Sequence, residues 1–339
     1  MKNLLLVLSI LLMVSCKHQK IEETFESDFS IVFASCNDQD REQPLWKPII
    51  ENNASVFIWG GDNIYADTND MKKMESDYNK VHANSDYAQL LNQTTVIGTW
   101  DDHDYGKNDA GIEWEKKDEA QQLFLDFLKF SKEDPLRSQE GVYYSRRYDT
   151  KMGSIKIVLL DTRYFRDSLQ KSTIEGRRYE AWGENEGGTI LGETQWNWFK
   201  KELEDSSSDF TVIVSSIQVL ADEHGWEKWG NHPSEVKRML DVIKNAKAKN
   251  IMILSGDRHL AEFSVSDVKG LPYNLVDFTT SGLTHTYPES PDTPNRFRKG
   301  KLVKDLNFGV LKFDFQKKKV RMEIRGRENK VLEVLNQQY

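Results

Sequence analysis

Cysteine is almost absent from this sequence, with only Cys16 and Cys36 in 339 residues. A scaffold stapled by several disulfides is thereby excluded. Internal repeats and low-complexity tracts are also missing, which rules out a solenoid and a disordered chain. No Gly-x-Ser-x-Gly turn surrounds Ser35 or Ser255, so a serine esterase lacks its nucleophile elbow. Positive charge is in deficit, 46 Lys and Arg against 54 Asp and Glu. That excludes a general nucleic-acid-binding domain, and the Lys-rich stretch Lys244–Lys249 reads as the solvated face of a helix. Between residues 30 and 259 there is no linker-like break, so one large α/β domain is expected rather than two.

The one long apolar run lies at the start of the chain. Met1–Ser15 holds a Lys and then Leu4–Val14, too short for an ordinary membrane-spanning helix and suited to export. Met13-Val14-Ser15-Cys16 resembles a bacterial lipobox; an ordinary secretory peptide cleaved nearby is the alternative. The first reading makes residues 1–15 a lipoprotein signal peptide and Cys16 the acylated first residue of an exported, membrane-anchored protein, periplasmic or at the cell surface. Residues 16–28 are then a tether and residues 29–335 the functional domain. Cys36 becomes a lone thiol in an exported protein, and its place at the end of an apolar run before Asn37-Asp38 points to metal ligation rather than to packing.

What the chain does have is five apolar runs that each end in acidic residues, His or Cys: IVFASCND, VFIWGGDNIY, TTVIGTWDDHD, IKIVLLDTR and IMILSGDRH. Buried parallel strands read as such runs, and an open α/β sheet presents its ligands at one end of its strands. The five ends bring together Cys36, Asp38, Asp62, Tyr65, Asp101, Asp102, His103, Asp104, Asp161, Asp257 and His259. So much negative charge in one cleft demands cations. The expected protein is a two-metal hydrolase.

The remaining pattern alternates strands with helices near the forties, 71–92, 113–130, 194–204 and 234–247, and crosses a polar, Gly-rich loop from 166 to 192. Strands near 275–280, 308–315 and 320–324 then form an antiparallel series, with a hairpin turn at 316–319. Two packed sheets flanked by helices accommodate this mixture.

These motifs, Ser35-Cys36-Asn37-Asp38, Gly61-Asp62-Asn63-Ile64-Tyr65, Trp100-Asp101-Asp102-His103-Asp104, Leu160-Asp161-Thr162-Arg163 and Ser255-Gly256-Asp257-Arg258-His259, resemble in order those of the alkaline phosphatase D (PhoD-like) family of calcineurin-like metallophosphoesterases. The resemblance runs from about residue 29 to 315. It implies a four-layer αββα sandwich of two mixed sheets, a dinuclear metal site, and hydrolysis of phosphate monoesters or diesters. Characterised members often carry an extra N-terminal β domain, and only about a dozen residues separate Cys16 from the first strand, so a short variant is expected whose substrate range need not follow theirs.

The residues support that chemistry in their own right. Asp62 on a Gly-Gly turn can bridge two cations. A phenolate from Tyr65 with the Cys36 thiolate suits Fe3+, and hard carboxylates suit Ca2+; Zn2+, Mn2+ and Mg2+ are alternatives. Cys36, Asp38, Asp62, Tyr65, Asp102, Asp257 and His259 are the expected ligands. The superfamily resemblance puts Asp102 at a metal-binding position and His103 at the catalytic one, with Asp101 and Asp104 behind them. Arg163 and Arg258 are candidate phosphate clamps, because guanidinium matches phosphate oxygens. Gln218, Trp229, Asn231 and His285 lie in stretches similar to the family, and of these Asn231 and His285 are candidate substrate contacts. A metal-bridging hydroxide attacking phosphorus, with His103 assisting the leaving oxygen and Arg163 taking up charge, is the expected mechanism. The alternatives are a phospholipase C-like phosphodiesterase and a non-catalytic, metal-dependent phosphate-binding lipoprotein. The protein is expected to be a monomer.

Overall fold

The computed structural model describes residues 25–184, 186 and 188–339. The expected signal peptide, Cys16 and the tether up to residue 24 lie outside the described residues.

Buried hydrophobic runs become the strands of two large sheets. In spatial order the first is Val331–Gln338, Lys319–Arg325, Phe308–Asp314, Phe29–Ala34, Val56–Gly60 and Thr95–Thr99. The second is Arg298–Val303, Ala261–Ser266, Leu275–Thr280, Ile251–Ser255, Phe210–Val214, Ser154–Leu159 and Tyr144–Asp149. Both are mixed. Phe29–Ala34, Val56–Gly60 and Thr95–Thr99 run parallel in the first, and Ser154–Leu159, Phe210–Val214, Ile251–Ser255 and Leu275–Thr280 run parallel in the second. The flanking pairings are antiparallel.

Strand alternation sorts side chains between two cores. From the second sheet, Ile155, Ile157, Val212, Val214, Met252 and Leu254 point into the core between the sheets. Their neighbours Val158, Ile213, Ile251 and Ile253 point outward, onto Trp196 and Phe199 of helix Gly192–Glu204 and Met239 and Ile243 of helix Pro233–Lys244. Beyond the first sheet, Trp59 meets Tyr87 of helix Ser85–Gln93, its indole N–H donating to the Tyr87 hydroxyl at 3.0 Å. Each such buried large apolar side chain contributes about 1.5–3 kcal/mol. The result is the expected four-layer αββα sandwich.

Some elements differ from the pattern read in the sequence. The helical region 71–92 is two helices, Met71–Ala83 and Ser85–Gln93. Asn84 leaves the helical conformation between them, and its side chain accepts from the Asp86 and Tyr87 N–H groups, capping the second helix. The strands Tyr144–Asp149, Ala261–Ser266, Arg298–Val303 and Val331–Gln338 were not anticipated, and the last runs past the expected boundary at 335. The 166–192 loop contains a two-residue ladder, Gln170–Lys171 against Tyr179–Glu180.

The parallel strands of both sheets finish on one shared edge. There Gly61 and Gly256 let the sheets converge. A Cβ on Gly61, whose φ is +102°, meets Asp101 Cβ at 2.6 Å and Ser216 Cβ at 2.9 Å. One on Gly256 meets Ser35 Oγ at 2.6 Å and the Gly60 carbonyl oxygen at 2.8 Å. Only residues without a side chain fit this junction.

Candidate metal centre and active site

The residues just beyond these strands hold unusual backbone geometry. Cys36, Asp62, Asp257 and His259 have φ of 61°, 48°, 69° and 53°, in the left-handed region that costs an L-residue about 1–2 kcal/mol. The conformation turns each side chain back over the sheet edge. Neighbouring loops hold it there: the Asn37 N–H donates to the Asp62 carbonyl at 2.8 Å, and the Gly256 N–H to that of Ser216 at 3.0 Å.

Asp62 stands at the centre. Its Oδ2 lies 3.4 Å from Cys36 Sγ and 3.3 Å from the Tyr65 hydroxyl, while its Oδ1 accepts from the His103 N–H at 3.4 Å. One carboxylate therefore faces a thiol and phenol on one side and the Asp102 turn on the other. Groups able to hold a cation, with ligand atoms within 4.8 Å of one another, are Asp62, Asp102 and His103; Asp101, Asp102 and Asp257; and Asp102, Asp109 and Glu227. Asp102 belongs to all three.

The electrostatics match a cation-binding site. Burial, then the charge of Asp102, pushes Asp62 well above the usual carboxylate range; burial, then Asp101, does the same to Asp257. Burial, then Asp62, raises the Cys36 thiol, and burial, then Cys36, raises the Tyr65 phenol. Burial also pushes against Asp102, but Arg163, His103 and the Asp109 N–H outweigh it and hold that carboxyl below its usual range. Among the described residues, Asp102 Oδ1, Asp101 Oδ2 and His259 Nδ1 are buried without a hydrogen-bond partner. Oxygen and nitrogen atoms with unmet demand, beside a buried thiol and phenol, fit bound cations, which would reverse the local field and restore the anionic forms. Cys36, Tyr65 and Asp62 would hold one ion, and Asp62, Asp102 and Asp257 another.

His103 lies between this cluster and the open cavity. Asp67 Oδ2 holds its Nδ1 at 2.6 Å. Asp67 is itself fixed, since its N–H and that of Ala66 both donate to the His103 carbonyl. Burial opposes the charge on His103, but Asp102, Asp62 and Asp67 together push its pKa to about 11. Rings continue the wall: Tyr65 is 4.2 Å from His103 and 5.0 Å from His285, and His259 is 4.4 Å from His285, centroid to centroid. Burial, then the His285 charge, lowers His259 to about 3.

Three of the expected roles do not match the side-chain positions. Arg163 is completely buried and does not line the cavity. Its Nε and Nη2 lie 2.5 Å from Asp101 Oδ1, and Nη1 lies 2.7 Å from Glu227 Oε2. It is therefore a counter-ion beneath the acidic cluster rather than a clamp touching phosphate. Asn231 is also fully buried: its Oδ1 accepts from the Lys228 N–H at 2.8 Å and its amide donates to the Glu180 carbonyl at 3.3 Å, so it fastens the 166–192 loop and contacts no open space. Asp38 sits at the cavity rim, its carboxylate engaged by Arg41 at 2.8 Å and by the Asp40 N–H at 3.1 Å.

Other expected residues fall into clear places. Arg258 and His285 line the cavity with Asp102, His103, Asp257 and His259. Asp104 accepts from the Asn63 amide at 2.5 Å and the Asp101 N–H at 2.7 Å. Asp161 accepts from the Val142, Arg163 and Tyr164 N–H groups, and Gln218 is buried against Glu262 and Thr279. Ser255 donates to Asp277 and Ser35 to the Thr280 carbonyl, which leaves neither hydroxyl free to attack. Glu227, Asp109 and Asp67 were missed. Glu227 and Asp109 lie on loops with no apolar run directly before them, and no local signal marks them; Asp67 lies two residues past the VFIWGGDNIY run, in the loop before helix Met71–Ala83.

Two mixed sheets meeting at a glycine junction lined with acidic, thiol and imidazole groups define an αββα protein with clusters able to hold cations. A profile of the PhoD-like phosphatase family matches residues 31–324, and the chain belongs to that family. Among curated proteins it is similar to alkaline phosphatase D of Bacillus subtilis (strain 168), 25% identical over 181 residues, 48% of this chain and 30% of that protein. The match thus spans under a third of the curated relative's length. A solved PhoD structure superposes with a TM-score of 0.69 at 17% identity, covering 92% of this chain and 69% of that one. A dimetal phosphatase from Danio rerio superposes at 0.54 and 14% identity, covering 93% and 100%. These two likenesses concern the fold.

Proposed function

We propose that this chain is a phosphoric ester hydrolase that uses two cations held by Cys36, Asp62, Tyr65, Asp102, Asp257 and His259. The observation that carries this reading is Asp62 placed between the Cys36–Tyr65 pair and the Asp102 turn. Bound cations supply an activated water and positive charge for the phosphoryl oxygens. The chain's own residues do the rest. Asp67 fixes one ring nitrogen of His103, which leaves Nε2 to serve the ester oxygens and to protonate the departing alkoxide. Arg163 binds no substrate; it holds Asp101 and Glu227 in register below the ligands. Of the two expected clamps, Arg163 and Arg258, only Arg258 lines the cavity, where its guanidinium can contact an anionic group of the substrate.

The thiol and phenol beside Asp62 favour Fe3+ on that side, and the all-carboxylate side favours Ca2+. Iron so bound gives a visible charge-transfer colour that Cys36→Ser removes; a colourless, fully active protein containing only zinc or calcium refutes the iron assignment. Export as a lipoprotein anchored through Cys16 is part of the same proposal, supported by the lipobox-like Met13–Cys16. Assay of phosphate mono- and diesters, with metal analysis of the same sample, tests the function. Phosphate bound without turnover favours a binding lipoprotein, and a strict preference for phospholipid diesters favours the phospholipase C-like alternative.

A further inference from the structure

The cavity in front of the acidic cluster has a volume of 860 Å³, far larger than a phosphate group needs. Its lining carries five cations, Arg41, Arg177, Arg178, Arg258 and Lys304. Three are neutralised locally: Arg41 by Asp38 at 2.8 Å, Arg178 by Asp109 at 2.8 Å and Lys304 by Asp292 at 2.5 Å. Arg177 and Arg258 have no carboxylate within ion-pair distance among the described residues. Among the described residues the Arg177 guanidinium donates only to the Glu223 carbonyl, at 2.9 Å, and the Nε of Arg258 is buried with no hydrogen-bond partner.

These two cations share one wall. The Arg258 guanidinium lies 5.7 Å over the ring of Trp226, which is 43% exposed. The tip of the 166–192 loop is pinned beside that ring, because the Arg178 and Tyr179 N–H groups both donate to the Gly225 carbonyl. Gly225 has to be glycine for this approach, since a Cβ there falls 2.7 Å from Arg177 Cα. Under the wall, the Lys228 ammonium donates to the His224 carbonyl at 2.6 Å and the Trp226 carbonyl at 3.1 Å. Burial, then the charges of Arg258 and Arg177, lowers Lys228 to about 8, and burial, then Arg258, lowers His224 well below its ordinary value. Asp102 and Asp257 line one end of the cavity, and the Trp226 end, which also carries Glu223 and Glu227, holds two guanidinium groups with no carboxylate in ion-pair contact among the described residues.

We infer that Arg177 and Arg258, beside Trp226, form a second anion subsite, and that the preferred substrate is a phosphate ester carrying another anionic group, carboxylate or phosphate, on its alcohol part. This rests on the hydrolase reading above for the place of the first phosphate. Guanidinium groups without partners in a partly enclosed pocket bind such a group by charge-assisted hydrogen bonds. Trp226 supplies an apolar floor for the connecting carbons.

The test is equilibrium binding to the metal-loaded full chain by calorimetry. Alkylphosphonates with neutral ends are compared with the same chains ending in carboxylate or a second phosphonate, over spacers of roughly three to six carbons. An anionic tail is expected to tighten binding by about 10-fold or more at the fitting spacer. In Arg177→Ala that advantage falls towards unity, and Arg177→Lys keeps part of it. Equal gains from both tails identify a site that reads charge, and a gain from phosphonate alone identifies one that reads phosphate; either supports the subsite. No tail advantage at any spacer, or an advantage undiminished in Arg177→Ala, overturns it. Ester turnover without tail preference refutes the subsite alone, whereas tail preference without turnover of any ester refutes the hydrolase reading and leaves the subsite standing.

Discussion

Two side chains, His103 and Arg163, have roles that a single substitution separates. His103 touches open space and is oriented by Asp67, so His103→Ala is expected to lower kcat by about 10²- to 10⁴-fold while metal content stays near that of the parent. Loss of both metal and activity identifies His103 as a ligand instead; unchanged kcat removes it from the chemistry. Arg163 touches no open space. Its removal leaves Asp101 buried without its counter-ion and Glu227 with Arg166 alone, and breaking such a buried pair costs about 3–5 kcal/mol. Arg163→Met is therefore expected to show a large drop in thermal or denaturant stability. A variant with parental stability and a raised KM contradicts this and restores the clamp role.

At the scale of elements, the site depends on how closely two strand ends approach. Gly256 follows strand Ile251–Ser255 and faces the Gly60 carbonyl and Ser35 across the junction of the sheets. Gly256→Ala is expected to destabilise by about 1–3 kcal/mol through overpacking and to weaken metal retention, because Asp257 moves away from Asp62. Parental stability with full metal content shows that the junction is looser than described. The same elements explain what was legible beforehand. Val56–Gly60, Phe210–Val214 and Ile251–Ser255 are buried at every position, so their composition is near-continuously apolar and unmistakable. Tyr144–Asp149 and Arg298–Val303 are edge strands with charged, exposed positions, and Arg-Arg or Lys-Gly-Lys there hides the strand. Ligands directly after buried strands, such as Asp62 and Asp257, could be read from the chain; Glu227 and Arg177 could not, because loop contacts with Arg163 and Gly225 place them. Arg163 was misread for the same reason: a guanidinium after a strand looks the same in sequence whether it faces solvent or the buried Asp101.

For the whole molecule, the acidic edge makes stability depend on pH and metal together. Burial, with neighbouring carboxylates, raises Asp101 to about 7 and Asp104 to about 8, and Asp62 and Asp257 lie well above their ordinary values. In the metal-free protein each of these groups keeps a proton that the unfolded chain has released, so stability falls as pH rises through the window between unfolded and folded pKa. His103, raised to about 11, acts in the same direction above its ordinary 6.5. His259 and His285, lowered to about 3 and about 4, act the opposite way, but only up to 6.5. The carboxylate slope is therefore unopposed by them between about pH 6.5 and 8. Cations among the carboxylates take the place of those protons and remove the slope. At a hundredfold excess over Kd each bound ion adds about 2.7 kcal/mol, roughly 4 °C in Tm for a chain of this size. Thermal unfolding of chelator-stripped protein is expected to show Tm decreasing from pH 6.5 to 8, with the metal-loaded protein higher throughout and nearly flat. Parallel curves, offset or not, would mean that the ions do not sit among Asp62, Asp101, Asp102 and Asp257.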